Sequence, residues 1–378
     1  MVLILYPSPV DTTSQIFTKA MWEYAGSPQA VELVGAWTEI GDGAFQNTGI
    51  TISLPFSGSH TNTNKNAFAA LKTDGSVVAW GHADRGGTAP SGLDNVATIY
   101  SNSNAFAALK NDGTVVAWGN SGYGGTTPTG LTNVKTISSA ENAFAALKND
   151  GTVSAWGNAG YGGTTPTGLT NVVTIYSTEY AFAALKNDGT VVAWGNSDYG
   201  GATPTGLDNV ATIYSTKYAF AALKNDGTVV AWGPSWGGGT TPTGLDNVAT
   251  IYSTGYAFAA LKNDGTVFAW GLSSHGGTTP TGLDNVATIY STYGAFAALK
   301  NDGTVFAWGQ GEFGGTTPTG LDNVATIYST KSAFAALKND GTVFAWGDYS
   351  DGGNAPSGLD DVATIYSTGY AFAALKND

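Results

Sequence analysis

The phrase Ala-Trp-Gly recurs every 38 residues without a slip, placing Trp at 80, 118, 156, 194, 232, 270, 308 and 346. A second phrase, AFAALK, starts at Ala67 and keeps the same spacing through Ala371. A period of this length marks a modular architecture, in which each copy is one supersecondary unit that buries its faces against the next. The unit starting at Ala105 reads AFAALKNDGTVVAWGNSGYGGTTPTGLTNVKTISSAEN; eight such units fill residues 67–370 and a ninth begins. Residues 67–378 therefore form one repeat array, and residues 1–66, which lack the period, form a separate N-terminal segment.

Each unit carries three strand candidates. AFAALKN and TVVAWG flank Asp112-Gly113, and an Asp-Gly pair between apolar runs predicts a hairpin with a two-residue type I′ loop. That loop would set Trp118 opposite Ala107 and Phe106 opposite Gly119, each large ring against a small partner. The third candidate, NVATIYS in most copies, is rich in β-branched residues and joins the next AFAALK through a short turn. Three antiparallel strands, apolar on both faces and repeated eight times, must stack on their neighbours. The expected fold is all-β: a β-propeller of about eight three-stranded antiparallel blades, with the Trp residues as spacers inside the blades. A ninth blade could be closed by the N-terminal segment, or the array could be part of a longer one.

The phrase AFAALKNDGTVVAWG resembles the repeat of the regulator-of-chromosome-condensation superfamily. The short period is more similar to the compact blades of the bacterial β-lactamase-inhibitor propeller in that superfamily. The resemblance covers residues 67–378 and implies the propeller fold. It implies little about activity, because members range from a nucleotide-exchange factor to a photoreceptor and an inhibitor, and no functional residue of theirs has a matching position here.

The copies can be compared with one another, and most of the unit barely varies. Two windows do. After Ala-Trp-Gly the chain reads HADR (82–85), NSGY (120–123), NAGY (158–161), NSDY (196–199), PSWG (234–237), LSSH (272–275), QGEF (310–313) and DYSD (348–351). Before AFAALK the pairs are Ser103-Asn104, Glu141-Asn142, Glu179-Tyr180, Lys217-Tyr218, Gly255-Tyr256, Tyr293-Gly294, Lys331-Ser332 and Gly369-Tyr370. If the first strand of a blade runs up, the second down and the third up, both windows lie at the top. The nearly invariant Lys-Asn-Asp-Gly turn lies at the bottom, and GGTTPTGLDN descends to start the next blade. The variable positions therefore converge on one rim.

That rim mixes Tyr with small polar residues, as binding loops do: rigid rings supply contact area and small polar groups supply adaptable hydrogen bonds. Its candidate partner-binding residues are Arg85, Tyr123, Tyr161, Tyr180, Tyr199, Tyr218, Trp236, Tyr256, His275, Tyr293, Phe313, Tyr349 and Tyr370. The competing reading is neutral drift of exposed turns. Large aromatic side chains are poor choices for purely solvated tips. The expected function is a non-enzymatic binding module facing a protein partner. The alternatives are a lectin-like module that stacks sugar rings and a structural spacer of a surface protein.

Composition narrows the partners. With 15 Lys plus Arg against 28 acids the net charge is −13, which disfavours phosphate backbones and anionic lipid. Neither nucleic acid nor membrane insertion is expected. The absence of cysteine excludes disulfides and thiol chemistry. His60, His82 and His275 lack partners at metal-ligand spacing, so no metal and no cofactor is expected. Neither a signal peptide nor a transmembrane segment is recognisable, which leaves the compartment open.

The first 66 residues invite three readings. Asp11 could cap a short helix over TTSQIFTKAMWEYA. Val34-Gly-Ala-Trp37 mimics the third strand of a blade and could complete the ninth. TEIGDGAFQNTGITISLP, near residues 38–55, resembles a single BspA-type leucine-rich repeat.

Overall fold

The computed structural model describes residues 64, 66–72 and 74–377, together with five short strands nearer the N terminus. From Ala67 onward the chain repeats one unit. In the blade 96–119, strands Val96–Ser101, Ala105–Lys110 and Val115–Gly119 form one antiparallel sheet in sequence order. The same three-stranded sheet recurs down to Val343–Gly347, and Val362–Ser367 with Phe372–Lys376 form a last, two-stranded one. The first sheet takes its leading strand, Ile50–Thr51, from ahead of the repeat array and pairs it with Ala67–Lys72. The architecture is all-β, an array of about eight three-stranded propeller blades.

The hairpin register corrects the expected pairing. Trp118 lies opposite Phe106 and Ala117 opposite Ala107, one residue away from the register a two-residue loop would give. The loop is Asn111-Asp112-Gly113: the Gly113 N–H donates to the Lys110 carbonyl at 3.0 Å and the Lys110 N–H to that of Thr114 at 2.9 Å. This is a tight turn followed by a left-handed glycine. It requires positive φ only at Gly113, +79°, whereas type I′ would force Asp112 there as well. Asp112 is held instead by its carboxylate, which accepts from the Thr114 N–H at 2.9 Å and the Thr114 hydroxyl at 2.6 Å. As a result Phe106 and Trp118 stack on one face, ring centroids 5.2 Å apart and planes at 22°.

That stack is the core of every full blade. Phe258 is fully buried and Trp270 is 7% exposed. The indole N–H of Trp270 donates to the Gly238 carbonyl of the preceding blade at 2.9 Å. Trp118 does the same to Gly86, Trp156 to Gly124 and Trp346 to Gly314. The tryptophans thus fill the blades and bolt each blade to its predecessor. The glycine after each Trp is forced: Gly119 has φ +108°, and a Cβ there would sit 2.8 Å from the Asn104 carbonyl oxygen.

Leading strands of successive blades approach each other closely, with the Tyr100 hydroxyl 3.3 Å from Thr136 Oγ1 and Tyr176 matched likewise with Thr212. They therefore line the axis side. The outer edge is covered by the descending segment, where Thr127 Oγ1 accepts from the Ala117 N–H at 2.7 Å, which caps an otherwise open strand. At the bottom rim Lys110 pairs with Asp94 and Lys262 with Asp246, each at 3.2 Å. Both aspartates are largely solvated, so these pairs contribute little.

The outer face of the last sheet is open: Tyr366 is 58% and Leu375 54% exposed, whereas Leu337, one blade earlier, is 7% exposed. The closing strand expected at Val34–Trp37 lies outside the described residues. So does the helix expected over 12–25, apart from Ile16–Phe17, which are extended and pair in parallel with Glu39–Ile40. Of the segment resembling a leucine-rich repeat, only the strands Glu39–Ile40 and Ile50–Thr51 are described.

Candidate partner-binding rim

Both variable windows sit at the top of the blades. The window after Ala-Trp-Gly forms one turn of 3₁₀ helix in each copy, such as Ser121–Tyr123 and Ser197–Tyr199, closed by a left-handed glycine. Where the residue before the turn is Asn or Asp, its side chain caps the turn, as Asn196 does by accepting from the Asp198 N–H.

The window before AFAALK is joined from blade to blade by backbone hydrogen bonds. The Glu141 N–H donates to the Glu179 carbonyl, Glu179 to Lys217, Lys217 to Gly255, Gly255 to Tyr293 and Tyr293 to Lys331, all at 2.8–3.1 Å. Only main-chain atoms take part, so the bonds themselves do not depend on which side chain stands at this position. The bonds also stack the turns in register. Side chains 38 residues apart therefore lie one above another, as equivalent residues do in a parallel ladder.

The result is a continuous aromatic strip. Tyr180 stacks between Tyr161 at 5.0 Å and Tyr199 at 4.6 Å, and reaches Tyr218 at 5.7 Å. Tyr218 continues to Trp236 at 4.9 Å and Tyr256 at 5.4 Å. Tyr256 meets His275 edge-on at 4.7 Å, and Tyr293 reaches Phe313 at 5.6 Å. The Tyr293 hydroxyl donates to that of Tyr256 at 3.0 Å. Each ring pair contributes roughly 0.5–1.5 kcal/mol beyond the area it buries.

The strip's electrostatics follow from its packing. Burial first, then the carboxylates of Glu141 and Glu179, pushes the Tyr180 phenol up to about 12. Burial likewise raises Tyr218 and Tyr293, which keeps these hydroxyls protonated and able to donate. Burial lowers the His275 imidazole.

Of the residues expected at the rim, the structure brings together Tyr161, Tyr180, Tyr199, Tyr218, Trp236, Tyr256, His275, Tyr293 and Phe313. Arg85 and Tyr123 occupy the equivalent turn position nearer the N terminus, and the Tyr123 carbonyl accepts from the Asn102 amide at 2.7 Å. Tyr349 stands apart, being the first rather than the third residue of its turn and 80% exposed. Trp236 is also offset, by one place; Gly237 fills the usual position under Tyr218, and the indole stays 43% exposed. Tyr370 is linked to the strip by Lys331, whose ammonium lies 5.7 Å from the Tyr370 and Tyr293 rings alike.

Three contributors, Lys217, Gly255 and Gly294, were not among the candidate residues. Lys217 forms a 2.8 Å ion pair with Glu179 and also lies 5.1 Å from the centre of the Tyr293 ring, two blades on. It spans that distance because Gly255 intervenes; a Cβ there would stand 2.9 Å from the Tyr293 ring. Gly294 makes the same room for Phe313. A glycine inside a variable aromatic window was the available signal.

The strand order, the repeated hairpin and the Trp bolts define a protein built of repeated three-stranded antiparallel blades, each fastened to the one before it. No family model matches the chain, and neither does any curated protein. Solved structures similar to it include the computationally designed Ika8 protein, 18% identical over 76% of this chain and 97% of that one, with a TM-score of 0.39. Prp20p from Saccharomyces cerevisiae, described with its binding to Gsp1p and histones, is 17% identical over 87% and 88%, with a TM-score of 0.40. The ectodomain of the receptor kinase CR4 from Physcomitrella patens is 18% identical over 72% and 76%, with a TM-score of 0.41. Among the described residues no cluster of His, Asp and Glu is arranged to hold a metal, and no helix is long and apolar enough to cross a membrane.

Proposed function

We propose that this protein is a non-enzymatic interaction scaffold whose top rim binds a protein partner through the Tyr161–Phe313 strip. The observation carrying the reading is that residues differing from copy to copy converge into one continuous, half-buried aromatic surface, while the opposite rim repeats almost unchanged. Aromatic anchors ringed by small polar groups are the usual make-up of protein-binding hot spots.

The sugar-platform alternative needs open ring faces, and the faces of Tyr180 are already taken by Tyr161 and Tyr199. A lectin with one site per blade would also repeat its pocket, whereas these windows change along the array. The spacer alternative draws support from the backbone ladder, which holds the blades together whatever side chains the windows carry.

The test is affinity capture with the intact chain and with a Tyr218→Ala/Trp236→Ala variant, alongside a glycan array. A protein retained by the intact chain and lost by the variant supports the reading. Glycan binding without a protein partner replaces it with the lectin alternative. Silence in both leaves the spacer.

A further inference from the structure

The tightest phenol pair in the strip is Tyr180 with Tyr199, ring centroids 4.6 Å apart and planes at 28°. Tyr161 covers Tyr180 from the other side at 5.0 Å, and Tyr218 lies at 5.7 Å. Tyr180 therefore has three tyrosine rings around it: Tyr218 on the next rung of the backbone ladder, and Tyr161 and Tyr199 each fixed by its own 3₁₀ turn. Trp236, 43% exposed, meets Tyr199 edge-on at 6.3 Å and Tyr218 at 4.9 Å. A solvent-facing indole thus touches a chain of stacked phenols.

We propose that this cluster is an oxidative cross-linking site, at which a peroxide-driven one-electron oxidant couples Tyr180 to Tyr199 as dityrosine. Each phenol gives up one electron and its hydroxyl proton to become a neutral phenoxyl radical. The two radicals join through the ring carbons ortho to the oxygens. The ortho hydrogens then shift to the oxygens, which restores both phenols. In sum, two electrons and two protons leave the pair, and one molecule of peroxide takes them up to become two of water. Both rings are half-buried, and the stacking limits the motion needed to a slide of one ring across the other. The exposed indole of Trp236 is the entry point, from which the electron vacancy passes to the stacked phenols. The Tyr161–Tyr180 pair offers the same chemistry between adjacent blades, where the product would be a covalent staple.

Accessibility alone points elsewhere. Tyr349, 80% exposed, and Tyr366, 58% exposed, would then be the first tyrosines oxidised, and they would couple between molecules. The two accounts therefore make opposite predictions.

The experiment treats the dilute full-length chain with a haem peroxidase and hydrogen peroxide. It reads dityrosine fluorescence in the monomer fraction and maps cross-linked peptides by mass spectrometry. The expected product is intramolecular, joins Tyr180 to Tyr199 with Tyr161–Tyr180 as the minor pair, and carries a loss of two hydrogens. Tyr180→Phe keeps the ring stack but removes the hydroxyl, so it should cut the monomer yield severalfold, while Tyr349→Phe leaves it unchanged. Absence of dityrosine, an undiminished yield in Tyr180→Phe, or cross-links mapping to Tyr349 and Tyr366 between chains would each overturn the proposal.

Discussion

Replacing Trp270 tests how the blades are held together. Its indole is 7% exposed, stacks on Phe258 at 5.1 Å and donates to the Gly238 carbonyl at 2.9 Å. Trp270→Ala removes both contacts and opens a cavity, at a cost of about 3–5 kcal/mol. Trp270→Phe keeps a ring against Phe258 but orphans the Gly238 carbonyl, so its cost should be about 1–3 kcal/mol. The loss should also be local, because a repeat array is stabilised unit by unit and by nearest-neighbour interfaces. Amide hydrogen exchange is the suitable assay, since a chain of this length need not unfold in one step. Protection should fall over Ala257–Lys262, Val267–Gly271 and the preceding turn Ser235–Gly237, and stay unchanged three blades away. Uniform loss along the array, or equal costs for Ala and Phe, would refute the bolt as described.

Three further outcomes follow from the same contacts. Gly119→Ala should cost about 1–2 kcal/mol for the left-handed backbone alone, with more from the clash against Asn104, and thermal melting will register it. The turn aspartates Asp112, Asp150, Asp226 and Asp264 accept from threonine hydroxyls and N–H groups, which holds their carboxyls below the usual 3.8. Their stabilisation is therefore complete above that value and lost as pH falls below it; the melting temperature should drop on that acid limb, and Asp→Asn at these turns should flatten it. His275 is shifted downward by burial, so the unfolded chain binds its proton more readily. Stability should decline as pH falls through 6.5, and His275→Phe should remove that component from a melting-temperature profile.

The three-stranded blade repeated about eight times, its strand order and the placing of both variable windows at one end were readable in the sequence, because a strict period and three alternating strands leave few topologies; whether a ninth blade forms was not. The hairpin register was not. Asp112-Gly113 is compatible with either a two-residue loop or a three-residue loop with one left-handed glycine, and the choice rests on the φ of Asp112, which composition does not report. The convergence of Tyr180, Tyr218 and Tyr256 was legible, but their mutual stacking was not, because it depends on main-chain bonds between turns that no residue type announces. The outward placement of Tyr349 and Trp236 comes from a shift within a three-residue turn that a count of window positions blurs. Lys217 shows the limit most clearly: its reach to Tyr293 depends on an absent side chain at Gly255.

The most direct test of the rim's role is the dissociation constant of a purified, captured protein partner for three chains. These are the intact protein, Tyr218→Ala/Trp236→Ala at the top, and Lys262→Ala/Asp264→Ala at the bottom rim. If the variable strip is the contact surface, the top variant should weaken binding by roughly 2 kcal/mol or more, the range of a hot-spot truncation, while the bottom variant binds as the intact chain does. Equal affinity for all three chains, or a loss confined to the bottom variant, would contradict that role.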